Sequence, residues 1–84
     1  MNLYHIFQDV VRGYDTYSDA VVAANSIKEA ASIHPGSVGE EQRLPLAEAS
    51  GSWTNDPDDV SVSLIGTALR GTKVGVICAS FHAG

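Results

Sequence analysis

A short helix with a defined start and a defined end constrains the fold of this chain most. Ser26 and Glu29 make the S-x-x-E pattern of a capping box, which opens a helix at the following residue. Pro35 ends it, because the residue before a proline avoids helical backbone angles. The sequence therefore predicts a helix over residues 27 to 33 or 34, about two turns long. A helix of this length is stable only when its apolar face packs on other elements.

Four apolar segments can supply that packing, and we predict that each is a β-strand. The run AVVAA directly precedes the cap, so it lies outside the helix. The segment that contains VSVSLI alternates apolar and polar residues, the pattern of a half-buried strand. The first segment has apolar groups on both of its faces, which is typical of a central strand. The predicted strands cover residues 3–11, 20–24, 59–69 and 73–83.

The resulting order is β-β-α-β-β, which predicts an α+β fold: a small antiparallel sheet of about four strands with one short helix packed on one face. Residues 12–19 are predicted to form a loop. The turn at Arg70 and Gly71 predicts that the last two strands form an antiparallel hairpin. Residues 37–59 show no regular period. Trp53 within them is expected to anchor this segment to the core or, as the alternative, to lie at a binding surface.

Length and composition predict a single domain over residues 1–84. Hydrophobic residues make up 44% of the chain, which is enough for one core and argues against a disordered chain. Cys78 is the only cysteine, so an internal disulfide is excluded, and its apolar neighbours predict a buried thiol. Small domains often gain stability from a partner subunit, so a homo-oligomer is one possible assembly.

The formal charge of −5 works against direct binding to nucleic acid. It favours a basic surface on a partner protein, such as a groove that binds nucleic acid. The alternative is a general acidity without a role in binding, because the charges are spread along the chain. The first residues lack the basic start and long apolar run of a signal peptide, and no segment has the length of a membrane span. Together with the single cysteine, these features predict a cytoplasmic protein that does not bind membranes.

No pattern of catalytic or metal-binding residues stands out. Cys78 and His82 would lie on one face of a strand about 13 Å apart, too far to share a metal ion. Asp9, Asp15 and Asp19 could form an acid–base pair, but nothing in their spacing favours this over a solvated loop. We therefore predict no catalytic residue, no metal and no cofactor, and we interpret each histidine as a polar tip at the edge of the core.

Candidate binding residues lie in the loop before the second strand. Tyrosine offers a large contact area at a small cost in side-chain entropy. Two tyrosines are interleaved with carboxylates here, at Tyr14, Asp15, Tyr17 and Asp19. The alternative for each tyrosine is that its ring folds back onto the core. Further candidate partner contacts are Trp53, Asp56, Asp58 and Asp59. The alternative for the three aspartates is that they cap a turn before a strand.

The segments GYDTYSDAVVAANSIKEA, IHPG, VSLIG and GVICASFHAG resemble a family of small proteins encoded by tailed phages and prophages. The resemblance covers residues 4–35 and 59–84. It implies an accessory protein that works in the cytoplasm of a bacterial host cell, and it transfers no catalytic residue. In type, size and charge the chain is also similar to anti-CRISPR proteins.

Three functional hypotheses follow. The first is a stoichiometric, non-catalytic inhibitor that binds a host defence protein, for example a CRISPR surveillance complex or effector. The second is an oligomeric sponge that sequesters a defence-signalling nucleotide, with Arg12, Arg70 and Lys73 as the available cations. The third is an enzyme or a minor structural or host-takeover protein of the phage.

Overall fold

Four strands and one α-helix follow the predicted order in the computed structural model, which describes residues 1–37, 46 and 51–82. The strands form one antiparallel sheet, so the predicted α+β class is confirmed. Among these residues no helix has the length and hydropathy to span a membrane. The elements are β1 (Asn2–Phe7), β2 (Thr16–Ala24), α1 (Ile27–Ala31), a 3-10 turn (Pro57–Asp59), β3 (Ser61–Thr67) and β4 (Gly75–His82).

Helix α1 begins as its capping pattern predicts. The Oγ atom of Ser26 accepts a hydrogen bond from the backbone N–H of Glu29 at 3.0 Å, and the Glu29 carboxylate accepts one from the N–H of Asn25 at 2.8 Å. The helix ends at Ala31, earlier than predicted. The reason is that Ser32 donates both its N–H and its hydroxyl to the carbonyl oxygen of Glu29, which tightens the last turn. Ile33 and His34, which follow this turn, are buried.

The strand order in the sheet is β3-β1-β2-β4. The β1–β2 hairpin lies at the centre, as the apolar character of both faces of β1 predicts. The predicted hairpin of the last two strands is wrong, because β3 pairs with β1 and β4 pairs with β2. The central hairpin has two free edges whose backbone groups need partners, and each outer strand supplies them for one edge. Residues 68–74 link the two edges, and this segment is called the β3–β4 link.

Two strand boundaries differ from the prediction by four residues each. β1 stops at Phe7 rather than at residue 11, because the side chain of Gln8 bonds the backbone that follows. β2 begins at Thr16 rather than at residue 20, so half of the predicted loop 12–19 is strand. The extra residues of β2 pair with the last residues of β4, up to His82 opposite Thr16. The β-forming residues TYS therefore extend the hairpin rather than its loop.

One face of the sheet carries the core. Tyr4 and Ile6 of β1 lie there with Val22 of β2, and all three are buried. Trp53 is the largest fully buried side chain, at 1% exposed, and it belongs to the same cluster as Ala30 of α1. The segment around Trp53 is therefore anchored to the core by its indole, as the favoured interpretation of this residue predicts.

The opposite face of the sheet is open over much of its area. His5, Val21 and Cys78 form one row across β1, β2 and β4 on this face, since opposed residues of paired strands share a face. Cys78 is exposed, so the predicted buried thiol is wrong. Its apolar neighbours lie on an edge strand that is itself mostly exposed, and apolar neighbours in sequence therefore do not cover it.

Candidate recognition surface

The side chain of Gln8 organises the loop of residues 8–15 that joins β1 to β2. Its Oε1 atom accepts hydrogen bonds from the backbone N–H groups of Val10 and Val11 at 2.9 and 2.8 Å. Its Nε2 atom donates to the carbonyl oxygens of Val11 and Tyr17 at 2.7 and 3.2 Å. Both donors and both acceptor sites of the amide are therefore used. Because Gln8 is buried, this network fixes the first half of the loop against the end of the sheet.

The second half of the loop is a tight turn tied to β4. Gly13 and Asp15 both have positive φ angles, of 111° and 61°, a region that aspartate tolerates better than most residues. The Thr16 hydroxyl donates to the carbonyl oxygen of Gly13 at 2.7 Å. The N–H of Asp15 donates to the carbonyl oxygen of His82 at the end of β4. The loop is thus held at both of its ends.

Large apolar side chains are exposed around this loop. Tyr14 in the turn is 80% exposed, and Val10 is exposed in the first half. Phe7 at the end of β1 and Phe81 near the end of β4 flank the loop and are also exposed. Single exposed apolar residues are common, whereas a group around one well-bonded loop is typical of an interaction site. We call residues 8–15 with Phe7, Phe81 and His82 the loop surface.

A recess of about 640 Å³ lies within the loop surface. Its walls include the polar groups of Gln8, Asp9 and Arg12 and the rings of Tyr14 and Phe81. The Nε atom of Arg12 lies 3.5 Å from a carboxylate oxygen of Asp9, in an exposed ion pair that adds little to stability. The recess therefore presents aromatic, cationic and anionic groups together.

Asp19 lies on the open face of the sheet, beside the loop surface. Its Oδ2 atom is hydrogen-bonded to Nε2 of His5 at 2.8 Å, and its Oδ1 atom accepts a bond from the Ser18 hydroxyl at 3.1 Å. The bond with His5 lowers the pKa of Asp19; partial burial opposes this effect, while Ser18 and the nearby His82 lower the pKa further. Asp19 is therefore held as a carboxylate, which does not suit a general acid at neutral pH.

Asp19→Asn is expected to remove a small, pH-dependent part of the stability. Because the folded-state pKa is below the unfolded value, the carboxylate stabilises the fold above its ordinary pKa of 3.8, and this contribution is lost as the pH falls through the folded-state pKa. The His5 and Asp19 side chains are 34% and 40% exposed, so we expect about 0.5 kcal/mol or less. Urea unfolding should show the wild type as the more stable protein at neutral pH, and the difference should shrink as the pH falls below 3.8.

The pKa of Asp19 itself, followed by carboxyl ¹³C NMR, provides the control. His5→Ala removes the main cause of the lowered pKa and is expected to raise it clearly. His82→Ala removes only the smallest contribution and is expected to raise it less. An unchanged pKa in His5→Ala, or an equal rise in both variants, would contradict this account of the His5–Asp19 pair.

The two tyrosines that were predicted to contact a partner differ in their exposure. Tyr14 and Asp15 are exposed in the turn of the loop. Tyr17 lies on β2, where its ring packs half-buried against the core and contacts the rings of His34 and Phe81. Tyr17 is thus the tyrosine that folds back, and Tyr14 is the one available to a partner.

The other predicted contacts do not line the recess of the loop surface. Trp53 is buried, so its indole presents no surface to a partner, and this part of the prediction is corrected. Asp56, Asp58 and Asp59 are exposed in the 3-10 turn before β3. Asp56 caps this turn by accepting the N–H of Asp58 at 2.9 Å, and Asp59 accepts the Thr54 hydroxyl at 3.0 Å. The turn borders α1 and β3, whereas the recess adjoins β4, so the acidic turn is a separate surface.

Sequence reasoning did not identify Gln8, Phe7 and Phe81 as members of the candidate site. Gln8 lay inside a predicted strand, and a side chain that bonds only to backbone groups leaves no pattern in the sequence. Phe81 reaches the loop because β4 pairs with β2 and not with β3, a consequence of the strand order. The only signal in the sequence was the group of aromatic residues from Tyr4 to Tyr17, and this group does not include Phe81.

The histidines differ in their environments. His34 lies inside the core rather than at its edge: Nδ1 accepts the N–H of Gly36 at 2.8 Å, and Nε2 is 3.3 Å from Oγ of Ser52. His5 is half-exposed and His82 is exposed. Over residues 1–37, 46 and 51–82, no group of three His, Cys, Asp or Glu side chains is arranged to hold a metal ion.

Fold and geometry together define a small α+β protein with a well-bonded, exposed loop at one end of its sheet. No protein-family model matches the chain, and no curated protein or solved structure matches it either. The resemblance to phage-encoded proteins therefore stays a prediction.

Proposed function

We propose that this chain is a non-catalytic binding protein that docks onto another protein through the loop surface. The observation that carries the proposal is the exposed ring of Tyr14 on a loop whose backbone is held by the buried Gln8. A loop ordered before binding loses little conformational entropy on binding. An exposed aromatic ring supplies the kind of anchor that carries much of the energy of protein interfaces.

The charge of the loop surface indicates the kind of partner. Asp9 and Asp15 carry its carboxylates, Asp19 lies beside it, and its one arginine, Arg12, is paired with Asp9. This balance complements a basic surface, such as a protein groove that binds nucleic acid. The net charge of −5 also speeds the approach to such a surface and disfavours nucleic acid itself.

The resemblance to phage-encoded proteins supplies the biological setting of the proposal. In this setting the partner is a defence protein of the bacterial host, such as a CRISPR surveillance complex or effector. The chain would act as a stoichiometric inhibitor in the host cytoplasm, by covering the nucleic-acid groove of the partner or by holding its moving parts. Inhibition should then saturate at a fixed ratio of inhibitor to partner.

Tyr14→Ala is expected to weaken partner binding by about thirtyfold or more, since loss of an aromatic anchor costs about 2 kcal/mol or more. The fold should keep its stability, because the side chain is 80% exposed. The matched control is Leu69→Ala, which truncates a side chain that is 86% exposed. Leu69 lies in the β3–β4 link at the opposite end of the sheet, so its loss should not affect binding.

The measurement begins with tagged wild-type protein as bait in a lysate of CRISPR-positive bacteria. The recovered partner is then titrated with wild type, Tyr14→Ala and Leu69→Ala, and its nucleic-acid binding or cleavage is assayed at each ratio. Equal affinities of wild type and Tyr14→Ala would remove the loop surface from the site. If no defence protein is recovered or inhibited, the proposed partner class is wrong. Tyr17→Ala is a poor test, because Tyr17 packs against the core.

The recess provides a specific basis for the second candidate function, a nucleotide sponge. Tyr14 and Phe81 would stack on a base while Arg12 contacts a phosphate. The other two candidate cations, Arg70 and Lys73, lie in the β3–β4 link at the far end of the sheet, so one chain does not bring all three together. Calorimetric titration with cyclic and linear oligonucleotides separates the two functions: tight binding favours the sponge, and no heat change removes it.

A further inference from the structure

We infer that β4 pairs with the β4 strand of a second copy of this chain. The two strands run antiparallel, and the two four-stranded sheets become one sheet of eight strands. The inference does not rest on the proposed function, because it uses the backbone edge of β4 and not the exposed ring of Tyr14.

β4 has the properties of an unprotected edge strand. It is the outermost strand on one side of the described sheet, so one side of its backbone faces away from β2. Its sequence GVICASFH contains no lysine, arginine, carboxylate or proline. Its residues 77–82 are all exposed, on both faces of the sheet. Proteins usually protect such an edge with charges, proline, bulges or a covering element, and an edge without them is a template for another strand. Among the described residues β4 has only one of these features, a register irregularity at Ile77.

The other edge strand, β3, is better protected. Like β4, β3 contains no charged residue and no proline, but a depression beside it is lined by Lys28 of α1 and by Pro57 and Asp58 of the 3-10 turn. Charged side chains and proline beside an edge disfavour pairing with another strand. The free edge of β4 is therefore the better docking site.

The charges at the two ends of β4 favour a second copy as the occupant. Lys73 precedes the strand by two residues. At the other end, the N–H of Asp15 is bonded to the carbonyl oxygen of His82, so Asp15 lies beside the last residue of β4, on its β2 side. Antiparallel pairing brings the start of one strand next to the end of the other. Lys73 of each copy then lies near Asp15 of the other, so two chains of charge −5 meet where their charges attract.

Symmetry explains why β4 pairs with itself. Contact between identical strands is isologous, so a two-fold axis near Cys78 and Ala79, in the middle of β4, closes the assembly at two chains. Pairing of β4 with β3 would instead leave an unpaired β4 at one end and an unpaired β3 at the other, so further copies could add and build a filament. The ring of Tyr14 lies in the loop and not in the paired strands, whereas Asp15, Phe81 and His82 of the loop surface border the β3–β4 link of the second copy.

Sedimentation equilibrium of the full chain tests the inference with a matched pair of variants. Ile77 in β4 and Ile65 in β3 are both 54% exposed, and each lies at a register irregularity of its edge strand. Wild type is expected to have twice the mass of a single chain, Ile77→Lys the mass of one chain, and Ile65→Lys the mass of two. Wild type that stays monomeric up to about 1 mM, or equal dissociation by both variants, overturns the inference.

The native Cys78 provides a second measurement that does not depend on the folding of Ile77→Lys. It is the only cysteine and it is exposed, so it accepts a nitroxide label directly. Two labels near the two-fold axis should show strong dipolar coupling. In a Cys78→Ala background, a label on Ser63→Cys in β3 should show only weak coupling, because seven strand spacings, about 33 Å, separate the two outermost strands. Strong coupling at Ser63→Cys, or none at Cys78, would place the interface elsewhere and refute the inference.

Discussion

Trp53→Ala is expected to destabilise the fold by about 3–5 kcal/mol. The indole is the largest fully buried side chain and packs in one cluster with Ile6, Val22 and Ile33. Its removal therefore loses buried apolar area and leaves a cavity under the sheet. A domain of this length has a total stability of roughly 4–13 kcal/mol, so the variant should be marginally folded or unfolded.

Chemical denaturation followed by far-ultraviolet circular dichroism measures this loss, and the fluorescence of the single tryptophan follows the wild type independently. The control is Trp53→Phe, which keeps an aromatic ring in place. It also removes Nε1, which has no hydrogen-bond partner among the described residues, so no hydrogen bond is lost. The loss of stability in Trp53→Phe should therefore be less than half of that in Trp53→Ala. A loss below about 1 kcal/mol for Trp53→Ala would show that the indole does not anchor this segment.

The elements of the fold were predictable because their signals are local. Ser26 and Glu29 mark the start of α1 by their own hydrogen bonds, and apolar runs mark the four strands. The strand order was not predictable in the same way. Adjacent strands in sequence usually pair, yet here β3 and β4 separate to cover the two edges of the central hairpin. The strand order depends on packing across the whole sheet, and no local sequence pattern carries this information.

The candidate site was predictable only in part, for a related reason. Tyr14 was found because an exposed aromatic ring in a polar loop is a local feature. Phe7 and Phe81 join it through the pairing of β1 and β4 with β2. The prediction that Cys78 is buried was wrong for the same reason. The apolar run around it lies on an edge strand, where its side chains are exposed. In a small sheet, the exposure of a side chain depends on the position of its strand in the sheet as well as on hydropathy.

Gln8→Ala is expected to release the β1–β2 loop and to cost about 1–3 kcal/mol, because the amide removed makes four hydrogen bonds with the backbone. The N–H groups of Val10 and Val11 lose their acceptor. Hydrogen exchange measured by NMR should therefore show faster exchange of these two amides, while the amide of Ile6 in β1 stays protected. If the loop surface binds a partner, affinity should fall as well, because the loop must then be ordered on binding.

Gln8→Glu separates the two halves of this network. Its carboxylate can still accept the N–H groups of Val10 and Val11, but it cannot donate to the carbonyl oxygens of Val11 and Tyr17. Protonation at low pH restores one donor, so the loop amides should gain protection on acidification once intrinsic exchange rates are corrected for. Protonation of Asp19 at low pH should instead lower the free energy of unfolding of the whole domain. Slower exchange of the loop amides on acidification would therefore report a local effect of Gln8→Glu and not a change in global stability. If both loop amides stay protected in Gln8→Ala, the positive-φ turn at Gly13 and Asp15 must fix the loop without Gln8.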